Sequence, residues 1–319
     1  MVTTGALYLG VDGGGSRCRA RIEGEYGAAL GEGDSGPATT RLGIDKAWHS
    51  VMRACAVATE QAGLKREDFA LMHAGIGLAG FGRAGAEATL KEIVHPFASV
   101  RFISDGLAAC LGAHGGADGA IVVAGTGSVG VGLIGGRELR FGGYGFPISD
   151  EGSGADIGLQ ALRLALRAAD ERGETSPLLE EVLGAFGDDP CQAVAWSEQA
   201  TATDYATFAP MVLRHATSGD PIGRRIVERA ADEIGDLLDM FLRQGIDRLS
   251  LVGGLSGAIA AWLTSDLRDR LKLPDGDGVA GALLVARRRY CVGEAAAERE
   301  PVSEPSFQIR ERRDSAYGH

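Results

Sequence analysis

Short apolar segments alternate with helical patterns along most of this chain. A short apolar run between turn residues is typical of a buried strand, whereas apolar residues three and four positions apart indicate one face of a helix. In the first part of the chain these patterns predict strands over 7–11, 17–23, 24–33, 71–75 and 100–104, and helices over 44–63, 83–94 and 107–113. This alternation favours a sheet that is covered by helices.

The second part of the chain repeats this order, beginning again with two strands joined by a glycine turn. Strands are predicted over 120–124, 129–134, 137–141 and 249–252, and helices over 155–168, 222–245, 255–263 and 279–291, with further helices between 176 and 245. The pattern therefore predicts an α/β protein of two domains with weak internal symmetry.

The length of 319 residues is sufficient for two domains of ordinary size. We expect an N-terminal domain over 1–116, onto which a terminal helix at 279–293 packs back, and a C-terminal domain over 117–278 that contains a helical insertion. Residues 294–319 contain charge runs and two prolines but few apolar residues. They predict a flexible tail without a catalytic role.

Composition limits the possible partners. The net charge is −11, and 45% of the residues are hydrophobic. An acidic chain is a poor partner for nucleic acid or for an anionic membrane, and no apolar run reaches the length of a membrane span. The first residues lead directly into a strand rather than a secretion leader, so we expect a cytoplasmic protein.

The scattered cysteines are expected to be small buried residues in a reducing compartment: Cys18, Cys55, Cys110, Cys191 and Cys291.

Two glycine-rich turns follow apolar strands at widely separated points of the chain. They are Gly13-Gly14-Gly15-Ser16, the first glycine turn, and Gly125-Thr126-Gly127-Ser128, the second glycine turn. Because glycine has no Cβ, such turns let backbone N–H groups approach an anion closely. Two of them predict a polyphosphate bound from both sides, as in a two-domain phosphotransferase. The second turn also contains the spacing of a dinucleotide-binding fingerprint, but a strand follows it where that fingerprint requires a helix.

Three carboxylates lie beside turns or at the start of predicted helices. Asp12, next to the first glycine turn, could hold Mg²⁺, and Asp105, at the end of a strand, could accept the proton of an attacking hydroxyl. Asp150, in a glycine-bounded loop, could bind sugar hydroxyls. Each also has a structural interpretation: a turn residue for Asp12, a helix N-cap for Asp105, and a capping or solvated residue for Asp150.

Taken together, these segments resemble the BadF/BadG/BcrA/BcrD ATPase family, which belongs to the actin, hexokinase and Hsp70 superfamily and includes N-acetylglucosamine kinases and bacterial glucosamine kinases. The resemblance covers residues 7–286, and it is carried by the phosphate motifs at 10–16 and 125–128 and the adenosine motif at 251–256. It implies two ribonuclease-H-like (actin-like ATPase) domains with a nucleotide cleft between them.

The resemblance also implies roles for individual residues in an ATP-dependent kinase that phosphorylates the 6-hydroxyl of glucosamine and acts as a homodimer. Asp105 would be the general base and would contact the sugar, and Asp12 would hold Mg²⁺. The implied ATP-binding residues are Gly13, Gly14, Gly15, Ser16, Gly125, Thr126, Gly127, Ala216, Gly253 and Gly254. The other implied sugar-binding residues are Thr39, Ser128, Gly143, Tyr144, Gly145 and Asp150.

Two departures and three alternatives accompany this interpretation. Thr39 stands where the family usually has an Asn that binds sugar hydroxyls, and Arg17 and Cys18 stand where Lys and Thr are common. The nearest alternative is an N-acetylglucosamine kinase. An ATPase that drives electron transfer would need grouped cysteines to hold a cluster, which this sequence lacks. A sugar sensor without turnover is disfavoured by the intact Asp12, Asp105 and both glycine turns.

Overall fold

The computed structural model describes residues 5–288, whose strands form two sheets. The strands are β1 (Leu7–Gly13), β2 (Cys18–Glu23), β3 (Ala29–Ser35), β4 (Met72–Leu78), β5 (Ser99–Ser104), β6 (Gly119–Ala124), β7 (Ser128–Ile134), β8 (Arg137–Gly142) and β9 (Leu249–Val252). One sheet has the order β3-β2-β1-β4-β5 and the other the order β8-β7-β6-β9.

The two sheets begin with the same topology. In each, the first three strands form an antiparallel meander, and a later strand joins the first one in parallel: β4 beside β1, and β9 beside β6. Every predicted strand is present within a few residues of its predicted bounds. The structure therefore confirms the predicted α/β class and the repeated strand order.

Twelve α-helices surround the sheets in the described part of the chain. They are α1 (Ile44–Gln61), α2 (Ala86–Lys91), α3 (Asp105–Ala113), α4 (Gly154–Ala169), α5 (Pro177–Gly184), α6 (Pro190–Ser197), α7 (Ala202–Ala206), α8 (Ala209–Thr217), α9 (Pro221–Arg243), α10 (Ser256–Ala260), α11 (Ser265–Arg270) and α12 (Gly278–Ala286). Two 3-10 helices add Thr40–Leu42 and Arg66–Leu71. None of these α-helices is long and apolar enough to cross a membrane.

Three helix predictions were partly wrong. The helix predicted over 83–94 is only α2, because Gly85 has a φ of 79° directly before it and the preceding residues form turns. The helix predicted over 255–263 ends at α10, and the following α11 was not predicted although Thr264 caps it. The terminal helix, predicted over 279–291, is α12, which already ends at Ala286; residues from 289 onward lie outside the described residues.

Helix α12 packs against the first sheet and against α3. A Cβ at Gly10 in β1 would lie 2.6 Å from Leu283 Cγ, and a Cβ at Gly281 would collide with the carbonyl of Ala108 in α3. A separate cluster of buried residues, including Leu107, Val131 and Leu133, joins α3 to β6 and β7 of the second sheet. Helix α3 therefore contacts both sheets. The domain boundaries at 116 and 278 stay predictions, and the tail over 294–319 lies outside the described residues.

The cysteine prediction is confirmed in part. Cys18, Cys55 and Cys110 are buried, whereas Cys191 is exposed, and Cys291 lies outside the described residues. Burial raises the pKa of the Cys18 and Cys110 thiols to about 12. These two thiols are therefore neutral near pH 7 and pack as small apolar side chains.

Candidate functional site

The first glycine turn connects β1 to β2 and presents free backbone donors. Gly14 N donates to Arg17 O at 2.9 Å, and Gly14 O accepts from Ala38 N at 3.0 Å, so the base of the turn is fixed. Gly15 and Ser16 are exposed, and their N–H groups have no hydrogen-bond partner among residues 5–288. The turn can therefore offer two amides to an anion.

The second glycine turn is held by the start of α4. Gly154 N donates to Gly125 O at 2.8 Å, and Ala155 N donates to Thr126 O at 3.1 Å. The N–H groups of Thr126 and Gly127 have no partner in the part of the chain that the structure describes. This turn repeats the arrangement of the first one: a supported base and two unpaired donors.

The segment at Gly253 and Gly254, which was predicted to contact the nucleotide, lies directly beside the second glycine turn. Leu255 N donates to Ala124 O at 2.9 Å, which ties the two segments together. Gly253 has a φ of 102° and lies against the backbone of Ala124, so a larger residue would be both strained and obstructed there. Both glycines are exposed.

Asp12 is the second-last residue of β1 and is held by an ion pair. Its Oδ2 accepts from Arg19 Nη2 at 2.7 Å, and Arg19 Nη1 donates to Asp277 Oδ2, also at 2.7 Å. Asp277 in turn caps α12, because its Oδ1 accepts from Ala280 N at 3.1 Å. Asp12 Oδ1 accepts no hydrogen bond from the described residues, which leaves one carboxylate oxygen for a cation.

Asp12 can contribute to a Mg²⁺ site only if the phosphates of a nucleotide and water molecules supply the other ligands. Within residues 5–288 no group of three or more Asp, Glu, His or Cys side chains could hold a metal by itself. Mg²⁺ in phosphate-transferring sites is commonly bound by one or two carboxylates, waters and the substrate phosphates. One free oxygen of Asp12 beside the first glycine turn matches that arrangement.

Asp105 is the first residue of α3, but it does not cap the helix. Ser104 is the N-cap, because its Oγ accepts from Leu107 N at 3.0 Å. Burial raises the pKa of the Asp105 carboxyl, and the negative charge of Asp12 adds to this, while the Gly106 amide and the charge of Arg140 oppose it. The capping interpretation of Asp105 is therefore wrong, and its carboxylate is available for chemistry.

The glycine loop, defined here as residues 142–152, begins at the last residue of β8 and has an unusual backbone. Its residues with positive φ are Gly142, Gly143, Gly145, Asp150 and Gly152. Asp150 Oδ1 accepts from Gly145 N at 3.1 Å, and its Oδ2 lies 2.6 Å from where a Cβ on Gly127 would be. Asp150 therefore adjoins the second glycine turn. Ser153, rather than Asp150, caps α4.

A short segment from the first sheet approaches this loop. Thr39 is buried, and its Oγ1 accepts from Arg41 N at 3.3 Å, which caps the 3-10 helix Thr40–Leu42. Arg41 Nη2 lies 3.5 Å from where a Cβ on Gly145 would be. Burial raises the pKa of Asp150, and the charge of Arg41 opposes that rise. Thr39 and Arg41 thus bring the N-terminal part of the chain to the glycine loop.

Three predicted site residues have environments that the sequence did not indicate. Ser128 is buried, and its Oγ donates to Glu151 O at 2.7 Å, so this hydroxyl supports the glycine loop. Ala216 is buried in the C-terminal core, where its backbone packs against Gly223. Tyr144 has 81% of its surface exposed. The binding roles of Ser128, Ala216 and Tyr144 stay predictions.

Sequence reasoning missed three arginines near these carboxylates. Arg19 lies directly opposite Asp12 in the register of β1 and β2, so the hairpin pattern contained a signal for that pair. Arg41 and Arg140 gave no such signal, because the carboxylates that they affect, Asp150 and Asp105, are distant in sequence. Arg140 Nη2 donates to Gly143 O at 2.6 Å at the start of the glycine loop.

Known proteins resemble the chain over nearly the whole described region. The BadF/BadG/BcrA/BcrD ATPase family matches residues 9–286. Glucosamine kinase GspK of Vibrio cholerae is 40% identical over 279 residues, which cover 88% of this chain and 95% of that protein. The crystal structure of the "Putative N-acetylglucosamine Kinase" of Chromobacterium violaceum has 35% identity and a TM-score of 0.83, over 88% of this chain and 99% of that one. The N-acetylmuramic acid/N-acetylglucosamine kinase of Clostridium acetobutylicum is 27% identical over 234 residues, 71% of this chain and 76% of that protein.

Proposed function

Because the chain belongs to the BadF/BadG/BcrA/BcrD ATPase family, we propose that it is an ATP-dependent kinase that phosphorylates the 6-hydroxyl of glucosamine. The observation that carries this proposal is the environment of the Asp105 carboxylate. This carboxylate does not cap α3, and the charge of Asp12 raises its pKa while the charge of Arg140 lowers it. The name of the Vibrio cholerae relative supports the choice of sugar.

The proposed reaction needs little covalent participation from the protein. Asp105 accepts the proton of the 6-hydroxyl, the oxygen forms a bond to the γ-phosphorus of ATP, and the bond from that phosphorus to the β-phosphate oxygen breaks to release ADP. The free amides of Gly15, Ser16, Thr126 and Gly127 bind the phosphates and hold them in line. Mg²⁺ beside Asp12 would neutralise phosphate charge.

Asp150 supports an amino sugar as the acceptor. The amine of glucosamine is partly protonated near neutral pH, and a carboxylate such as that of Asp150 stabilises a positive charge at hydrogen-bond distance. Thr39 retains a hydroxyl where the family usually has Asn, although that hydroxyl already accepts a bond from Arg41 N. N-acetylglucosamine is the second candidate, since the Clostridium relative is named for that activity.

A panel of sugars tests this assignment. We expect kcat/KM for glucosamine to exceed that for N-acetylglucosamine by about tenfold or more, because an added acetyl group needs an apolar subsite. ADP release is measured with glucosamine, N-acetylglucosamine, glucose and no sugar. A preference for N-acetylglucosamine would move the assignment to the second candidate, and ADP release that is independent of any sugar would contradict a kinase.

We expect kcat/KM to fall at acid pH, with a midpoint above the usual pKa of an aspartate. Burial and Asp12 raise the pKa of Asp105 above the usual value of about 3.9, and the protonated form cannot accept a proton from the sugar. We therefore expect kcat/KM to decrease as the pH falls through that raised pKa. The profile is measured from about pH 3.5 to 8, with circular dichroism at each pH to establish that the protein stays folded. An acid limb at or below the usual aspartate value of about 3.9 would contradict a base with a raised pKa.

Two further properties stay proposals. We propose that the protein forms a homodimer, as the family resemblance implies, and that it acts in the cytoplasm, where a reducing environment fits its free cysteines.

A further inference from the structure

Arg140 lies on β8, an edge strand of the second sheet, and is bonded to the glycine loop. Its Nη2 donates to Gly143 O at 2.6 Å. The same atom lies 3.1 Å from where a Cβ on Gly143 would be, so the guanidinium packs closely against this residue. A charge-assisted hydrogen bond to a carbonyl is stronger than a neutral one, so Arg140 constrains the backbone where the loop begins.

The strand register directs Arg140 toward α3. Arg140 is paired with Val131 on β7, and Val131 Cγ2 lies 2.8 Å from where a Cβ on Gly106 would be. Residues that are paired across two strands share a face of the sheet, so Arg140 lies on the face that carries α3. Gly106 directly follows Asp105.

A second contact ties the same strand to the start of α3. Glu138, two residues before Arg140, shares its face of the sheet and accepts from Ser104 Oγ at 3.2 Å. Ser104 is the N-cap of α3 and directly precedes Asp105. Strand β8 therefore contacts both the glycine loop, through Arg140, and the residue before Asp105, through Glu138.

Groups on three elements influence the ionisation of the Asp105 carboxyl. Asp12, on β1, opposes the ionised form of the Asp105 carboxyl, and burial opposes it most strongly. Arg140, on β8, and the Gly106 amide, on α3, favour the ionised form. Glu138 carries a further carboxyl on β8, and it is directed at Ser104 through their hydrogen bond.

We propose that Arg140 is a positioning residue for phosphoryl transfer. Its side chain holds the Gly143 carbonyl and faces Asp105, so that the glycine loop and the proposed base keep a fixed position relative to each other. This inference rests on the proposed kinase function. The Arg140 side chain acts through Gly143 and Asp105, and it forms no bond to the reacting atoms. Losing it should loosen the loop and also make Asp105 harder to ionise.

The test compares Arg140→Met with Arg137→Met. Both arginines are on β8, but Arg137 contacts Gln244 at 3.5 Å rather than the glycine loop. In Arg140→Met we expect kcat to fall about 10- to 100-fold, because misplaced groups slow transfer strongly. We also expect the acid limb of the kcat/KM profile to move up by about half a pH unit to one unit, since a nearby positive charge is lost. Arg137→Met should leave both unchanged.

Arg140→Lys separates the charge from the hydrogen-bond geometry. Lys keeps a positive charge but lacks the planar guanidinium. In Arg140→Lys we therefore expect the acid limb of the pH profile to return close to its wild-type position, while kcat stays below the wild-type value. A substitution that merely damaged folding would lower the fraction of active enzyme without moving the pH profile. An unmoved profile and unchanged kcat in Arg140→Met would overturn the proposal.

Amide hydrogen exchange of the sugar-free protein gives a readout that does not depend on activity. We expect faster exchange over residues 142–150 in Arg140→Met and unchanged exchange in Arg137→Met. Unchanged exchange in both variants would show that Arg140 does not fix the loop. If the wild type phosphorylates no sugar, the kinase function fails, and the exchange experiment still decides whether Arg140 holds the loop.

Discussion

Asp105→Asn is expected to lower kcat by about 10²- to 10⁴-fold while the protein keeps its fold and its affinity for sugar and nucleotide. Asn has nearly the same size as Asp, but its amide cannot accept the proton of the 6-hydroxyl. Helix α3 should be unaffected, because Ser104 rather than Asp105 supplies the cap. The loss is measured as kcat with saturating glucosamine and Mg-ATP, and binding is measured by titration calorimetry.

Asp45→Asn is a matched control for this substitution. Asp45 is exposed and occupies the first turn of α1, as Asp105 does in α3. The same change at Asp45 should leave kcat within about twofold of wild type, because a surface charge outside the site contributes little. If Asp105→Asn kept near-normal turnover, Asp105 could not be the base, and the proposed chemistry would lose its central residue.

Gly127→Ala is expected to lower kcat/KM for the sugar by about 10²-fold with little loss of stability. The new Cβ would lie 2.6 Å from Asp150 Oδ2, so the Asp150 side chain must move. Asp150 is bonded to Gly145 N and has a φ of 68°, and its displacement should disturb the glycine loop. The cost to folding is small because the displaced atom is the end of a side chain. Kinetics with varied sugar and varied ATP measure the effect, and urea unfolding measures stability.

Gly24→Ala provides the comparison for Gly127→Ala. Gly24 is in the turn between β2 and β3, where a Cβ would meet only Leu30 Cδ1 at 3.9 Å. This variant should match wild type in both kinetic constants. Equal activity of Gly127→Ala and Gly24→Ala would mean that the contact between the second glycine turn and Asp150 has no part in sugar phosphorylation.

Strands and turns were predictable from sequence because their signals are local. The apolar run before each glycine turn sets a strand end, and glycine supplies the backbone freedom that the turn needs. The short α2 was mispredicted for a local reason as well: the apolar spacing over 83–94 is helical, but Gly85 and the turns before it delay the start. A periodic pattern does not contain the φ angle of a single glycine.

Side-chain roles were harder to predict because they depend on contacts between distant segments. The sugar-binding roles of Ser128 and Thr39 stay predictions, and their hydroxyls also have contacts that the sequence did not indicate: Ser128 Oγ donates to Glu151 O, and Thr39 Oγ1 caps a 3-10 helix. In the sequence, nothing distinguishes Arg41 and Arg140 from the other arginines. Their positions near Asp150 and Asp105 arise only when the two sheets and the glycine loop are in place.

The product of the reaction tests the central proposal most directly. Purified protein is incubated with glucosamine and Mg-ATP, and the products are identified by mass spectrometry and phosphorus NMR. We expect one ADP for each sugar phosphate, with the phosphate on the C6 oxygen. Release of inorganic phosphate with the sugar unchanged, or a phosphate on another oxygen, would contradict transfer to the 6-hydroxyl.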